Sequence, residues 1–281
     1  MGYVNNVTDT LFADVSEFQT PVTDDYTGAG YQVLSIRSND GTYQDGNFIA
    51  NYNWCVNSVE AGLLEFFVVY YYWRVDTGIS THMQMVDNAG GPHPMMVSMI
   101  DLESGGNTVQ DWSGTLNGEY AQLGDWLGNP LRAIGYANEG DLLGTPTTSG
   151  MWLNRPSGLR LIGAGYGANP NLPGQIAHQY TNGQGYGAAS GLPDGAPPWA
   201  QCDMNSADGL SVQAFAAAVG LGAAVTPAPP VVTPPPVVVT PTPPVVSPIT
   251  NTGTGTDYGD LVGVGDQVFT ASPALLAQLG V

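Results

Sequence analysis

Short apolar runs alternate with longer mixed stretches through the first two hundred residues. Runs of strand length and composition fall at Leu11–Val15, Gln32–Ser38, Phe66–Trp73, Met95–Leu102, Arg132–Tyr136, Arg160–Ala164, Gln175–Tyr180 and Ala200–Met204. Helix-like periodicity fills several gaps, at Phe48–Ala61, Ser80–Asn88, Thr115–Gly128 and Asn138–Leu143. Eight strands interleaved with helices predict an α/β chain closing as a β/α barrel. The last connections are short and rich in Gly and Pro, as between Tyr180 and Ala200. The expectation is therefore an irregular, TIM-like barrel with poorly formed late helices.

The pattern changes near residue 225. Three heptads follow, TPAPPVV, TPPPVVV and TPTPPVV, and 226–248 holds ten of the chain's 22 prolines. Proline fixes φ and removes the amide donor, so polyproline II is expected there rather than helix or sheet. That is either a flexible tether or a rod docked on a partner. A polar hinge, 249–256, leads into an apolar end, 257–281, where Ser272 and Pro273 could open a short helix ending at Gly280. The expected organisation is a barrel over 1–225, a Pro/Val/Thr-rich linker over 226–248 and an anchor segment over 249–281.

Charge narrows the partners. Of 281 residues, 24 are acidic and five basic, all of them Arg, for a net charge of -19. A chain without a basic face has no means of neutralising phosphates, so neither nucleic acid nor an anionic membrane is an expected partner. No apolar run is long enough for a membrane span, and Met1 to Asp9 lacks the pattern of a signal peptide. Cys55 and Cys202 leave room for one bridge or two buried thiols, and the second is expected. His82, His93 and His178 have no metal-ligand spacing. No cofactor or metal is expected, which disfavours a zinc amidase.

Barrel chemistry sits where strands end. Asp14, the pair Asp101 and Glu103, and Asp203 stand at such ends. Asp101 and Glu103 are two apart, so they share a strand face with Leu102 opposite. Paired carboxyls of unequal proton affinity are what glycoside hydrolysis needs, one donating to the leaving oxygen and another facing positive charge at the anomeric carbon.

On these residues the chain resembles glycoside hydrolase family 25, the Chalaropsis-type lysozymes, or N-acetylmuramidases. The resemblance covers about 11–210. It runs in order through Phe12-Ala13-Asp14-Val15-Ser16-Glu17-Phe18-Gln19, then Ile36-Arg37-Ser38 with Gly41, Tyr43, Asp45 and Asn51. It continues through Val69-Tyr70-Tyr71-Tyr72-Trp73-Arg74, Ile100-Asp101-Leu102-Glu103, Gln179-Tyr180-Thr181 and Cys202-Asp203-Met204-Asn205. The family implies Glu103 as general acid and Asp101 as its ionised partner. Asp14 and Asp203 would frame the cleft, and Tyr72, Gln179, Tyr180 and Asn205 would contact sugar. Tyr70 and Trp73 are sugar platforms or core, and Arg37 an inner structural cation. His82–Pro94 and the Gly-rich 138–158, which adds Trp152 and Arg155, depart from the family pattern.

With its proline-rich arm and apolar end, the architecture also resembles minor tail proteins of actinobacterial phages. That resemblance implies a virion-borne muramidase cutting the β-1,4 bond of the peptidoglycan glycan strand. Residues 249–281 would bind other tail proteins or further copies of the chain. The alternative is a weak or inactive scaffold that adheres to wall glycan.

Overall fold

In the computed structural model, residues 9–75 and 77–222 are described, together with the backbone of two short strands, Leu261–Val264 and Gln267–Thr270. Eight strands close a barrel: β1 Leu11–Val15, β2 Val33–Asp40, β3 Phe66–Tyr72, β4 Met96–Asp101, β5 Ala133–Asn138, β6 Leu161–Ala164, β7 Gln175–Thr181 and β8 Asp203–Ser206. Neighbours follow chain order, and β1 pairs with both β2 and β8. The expected α/β barrel is observed.

Seven strands run parallel, and β8 is antiparallel to β1 and β7, with Asp14 opposite Asp203 and Gln179 opposite Asn205. The β7–β8 connection, 182–202, stays at the mouth, with only a four-residue helix at Tyr186–Ala189, so β8 enters from above. Asp203 therefore begins its strand instead of ending it, a correction to the expected Ala200–Met204 strand. It reaches the mouth all the same, because the strand is reversed.

Alternation sorts the side chains. Phe12, Val33, Phe66, Val68, Val97 and Ile134 point inward and form the barrel interior. Leu11, Ala13, Leu34, Ile36, Phe67 and Val69 point outward, under the helical layer. Helix α1, Phe48–Glu60, turns Phe48, Asn51, Tyr52 and Cys55 toward that outer face, the spacing of one helical stripe. Helix α2, Gly78–Asn88, buries His82, whose Nδ1 lies 2.8 Å from Ser38 Oγ on β2 and whose Nε2 lies 3.0 Å from Ser98 Oγ on β4. Burial pushes this imidazole down to about 3, so it links β2 and β4 as a neutral group. Helix α3, Ser113–Trp126, brings Glu119 under β3, where its carboxylate accepts from Tyr71 Oη at 2.5 Å and Trp73 Nε1 at 3.3 Å.

The later connections have only short helices, as expected. After β5 come a five-residue α-helix, Glu139–Leu143, at the expected Asn138–Leu143, and a small hairpin, Gly144–Ser149. The β6–β7 loop has no helix; Asp208 holds it, accepting from Asn169 Nδ2 at 2.6 Å and Gln175 Nε2 at 2.8 Å and bonding His178 Nδ1 at 2.6 Å. Helix α4, Val212–Ala218, follows β8 and plugs the barrel floor with Phe215, whose ring lies 5.4 Å from Phe12 and 5.2 Å from Phe66.

Both cysteines are free and buried. Arg132 donates to the carbonyls of Met96, Leu127 and His93, Arg155 to that of Trp152, and Arg160 to that of Gly158. The proline-rich 226–248, the hinge and the helix expected after Ser272 lie outside the described residues. Leu261–Val264 and Gln267–Thr270 pair as an antiparallel hairpin, an element absent from the expectation.

Candidate active site

A cleft of about 280 Å³ opens at the barrel mouth, lined by Asp14, Arg37, Tyr70, Tyr72, Met99, Asp101, Glu103, Tyr136, Tyr166, Gln179 and Asp203, with Ser16, Phe18 and Gln19 at its edge. Six of the eight expected site residues meet there: Asp14, Tyr72, Asp101, Glu103, Gln179 and Asp203. A second lobe of about 270 Å³ shares Glu103, Tyr136 and Tyr166 and adds Asn138, Ala164 and Gly165.

Two expected contacts are elsewhere. Tyr180 follows the inward Gln179 and so faces outward; it is buried in the outer core and donates from Oη to the Pro193 carbonyl at 2.8 Å. Asn205 faces inward but lies two residues below Asp203 on the descending strand. It is fully buried beneath the cleft, with Nδ2 donating to the Phe12 carbonyl at 3.4 Å. Of the two aromatics left open, Tyr70 lines the cleft, while Trp73 is fully buried core.

The carboxyls hold protons to different degrees. Burial, reinforced by Asp203, raises Asp14 to about 7, and the Tyr70 hydroxyl beside it acts the other way. Burial and the charge of Glu103 raise Asp203 to about 6. Asp101 is held well above the usual carboxylate range by burial, then by Glu103 and Asp14, against the pull of Arg37. Its Oδ1 is buried and makes no hydrogen bond. Burial also raises Glu103, with the Tyr72 hydroxyl and Arg74 drawing it down and Asp141 pushing it up. Burial disfavours the ionised form of both carboxyls in the free protein, and Asp101 is the deeper of the pair.

Around the acids, Tyr136 Oη and Tyr166 Oη donate to Gln179 Oε1 at 2.9 and 3.0 Å. Arg37 is the expected inner cation, with Nε 3.0 Å from Asp45 and Nη2 3.5 Å from Glu17. Its guanidinium lies 5.1 Å from the ring of Phe18, which is 80% exposed at the cleft edge. Across the mouth, Tyr166 and Tyr186 are exposed with ring centroids 5.6 Å apart. Such faces suit sugar C–H surfaces. Tyr136 and Tyr166 carried no assigned role in the sequence. Alternation and a strand-end position could have found Tyr136, whereas nothing in the Gly165-Tyr166-Gly167 loop marks Tyr166.

A barrel of this fold is shared with a solved lysozyme, an endolysin catalytic domain and a family 25 glycosyl hydrolase. The barrel matches that hydrolase, from Bacillus anthracis, with a TM-score of 0.52 at 14% identity, over 72% of this chain and 89% of that one. The bacterial lysozyme from Streptomyces coelicolor matches with a TM-score of 0.51 at 18% identity, over 75% of this chain and 98% of that one. The catalytic domain of endolysin ply40 from a bacteriophage of Listeria monocytogenes matches with 0.52 at 16%, over 78% and 100%. No family model matches the chain. The uncharacterized protein Rv3766 of Mycobacterium tuberculosis is 53% identical over 217 residues, 76% of this chain and 75% of that protein. This chain belongs to the same family as Rv3766.

Proposed function

We propose that the chain is a lysozyme-type glycoside hydrolase, a muramidase that cuts the β-1,4 bond between N-acetylmuramic acid and N-acetylglucosamine in peptidoglycan. The observation that carries this reading is the convergence of Asp14, Asp101, Glu103 and Asp203 in one cleft with raised and unequal proton affinities. Its support includes the fold shared with the lysozyme and the endolysin domain.

Glu103, half-exposed to the second lobe, donates its proton to the glycosidic oxygen. The C1–O bond breaks with its electron pair leaving on that oxygen. Positive charge growing at C1 favours the ionised forms of Asp101, Asp14 and Asp203 around it, which is stabilisation where the charge develops. Water then adds to C1 and returns a proton to Glu103. The residues of this cleft supply both the proton and the charge, so no cofactor enters the scheme.

The finer reading sets this barrel on a phage tail, carried by the 226–248 arm and attached through 249–281 to tail proteins or further copies. It rests on the sequence of that stretch alone. The experiment for the enzyme is release of new reducing ends from purified peptidoglycan by the full chain. Glu103→Gln is expected to lower it by ~10²–10⁴ while leaving the circular dichroism unchanged. Undiminished release by that variant would remove Glu103 from the mechanism, and none by the wild type on several wall types would favour the adhesive scaffold.

A further inference from the structure

We propose that Arg74, outside the cleft lining, is the positioning residue that stations Glu103 through Tyr72 and the Gly105 carbonyl. The inference rests on the muramidase reading for what Glu103 does, and on geometry for how it is held.

Arg74 lies two residues past the end of β3, and Asp40 is the last residue of β2. Nε of Arg74 is 2.5 Å from Asp40 Oδ1 and Nη2 is 2.9 Å from Oδ2, a two-point fork that fixes the guanidinium plane. Its third arm, Nη1, donates to the Gly105 carbonyl. The plane itself sits 4.4 Å from the centroid of the Tyr72 ring. One cation thus holds both the loop that follows Glu103 and the aromatic residue beside it.

Tyr72 completes the link. Its hydroxyl lies 3.1 Å from the Gly105 carbonyl and 3.3 Å from Glu103 Oε2. That hydroxyl has one proton, and the carbonyl can only accept. With Glu103 protonated, the tyrosine proton goes to Gly105 and the phenolic oxygen accepts from Glu103. Arg74, by pinning the carbonyl, sets the direction of that short chain. A second brace comes from Asn107 Nδ2, which donates to the Trp73 and Glu103 carbonyls at 2.9 and 2.8 Å.

The sequence after Glu103 fits this close approach. A β-carbon on Gly105 would lie 2.5 Å from the Tyr72 hydroxyl, and one on Gly106, where φ is +78, would lie 2.3 Å from Arg74 Nη1. A side chain at either position would displace the Tyr72 hydroxyl or the Arg74 guanidinium from the clamp. The titrating and charged groups acting on Glu103 are Asp101 on its own segment, Tyr72 on β3 and Arg74 after it, Tyr136 on β5 and Asp141 beyond it. Tyr166 after β6, Asp203 on β8 and Asp14 on β1 complete the set. Arg74 acts on Glu103 and also on Asp101, on which Arg37 acts as well.

The test uses the full chain as wild type, Arg74→Gln, Arg74→Lys and Asp40→Asn. It reads reducing-end release from purified peptidoglycan against pH, and the Glu103 carboxyl titration by carbon-13 NMR. Arg74→Gln is expected to lower kcat by about tenfold or more with KM nearly unchanged. Its alkaline limb and the Glu103 midpoint should both move to higher pH, because a carboxyl without its cation holds the proton longer. Arg74→Lys should lower kcat but leave the limb in place, since charge remains and the fork is lost. Asp40→Asn, which keeps the cation and loosens it, should lie between, and it serves if Arg74→Gln does not fold. An equal loss at every pH with an unmoved Glu103 midpoint overturns the proposal in favour of a purely structural arginine. If the wild type releases no reducing ends, the muramidase reading fails; the NMR midpoint in Arg74→Gln then decides the positioning alone, a rise supporting it and no change overturning it.

Discussion

Asp14 is the residue whose proton most directly ties the cleft to stability. Its ordinary value is 3.8 and its folded value about 7, so the native state binds the proton more tightly than the unfolded chain. The stabilisation is complete below about pH 4 and is lost as pH rises through 7. Asp203, raised to about 6, acts in the same direction. Asp194 and Asp208, lowered by hydrogen bonds from Thr181 and His178 among others, act in the opposite direction at low pH. Each tenfold change in proton affinity is worth ~1.4 kcal/mol. The thermal midpoint is therefore expected to rise from pH 8 toward pH 5, and Asp14→Asn to flatten that rise. A midpoint that falls over the same interval would contradict the burial of Asp14. The sequence also carried more at this scale than the family resemblance did. Alternation between the neighbours Gln179 and Tyr180 lets only one of them face inward, although both were assigned to sugar.

Among elements, the apolar runs of β1 to β5 are readable because each holds five to seven buried positions, whereas β6 holds three and β7 four. Two things escaped that reading. The direction of β8 depends on a connection that never leaves the mouth, a tertiary outcome with no local signature. Helix α4 looks like the beginning of the Ala/Val-rich lead into the prolines, because only Val212, Phe215 and Ala216 of its seven residues are buried. Ser211 caps it, accepting from Ala214 N at 3.3 Å. Its contribution is concentrated in one ring between Phe12 and Phe66. Phe215→Ala is expected to cost about 3–5 kcal/mol, measured by urea denaturation. A loss under 1 kcal/mol would mean that the barrel floor closes without the plug.

For the whole molecule, charge sets how it meets a wall. A net charge of -19 repels anionic polymers at long range, and salt screens such repulsion beyond about 10 Å at 0.1 M. Cleavage of an anionic wall preparation is expected to increase several-fold between roughly 10 and 200 mM NaCl, and that of an uncharged glycan fragment to change little. Equal salt responses would locate substrate capture entirely within the cleft. The five arginines have another consequence. The chain has no lysine, each arginine side chain is tied to a carboxylate or a backbone carbonyl, and none occurs after Arg160. A trypsin-like protease therefore finds its only cleavage points inside the folded barrel, and it has no bond to cut along the 121 residues that follow Arg160, the proline-rich arm among them.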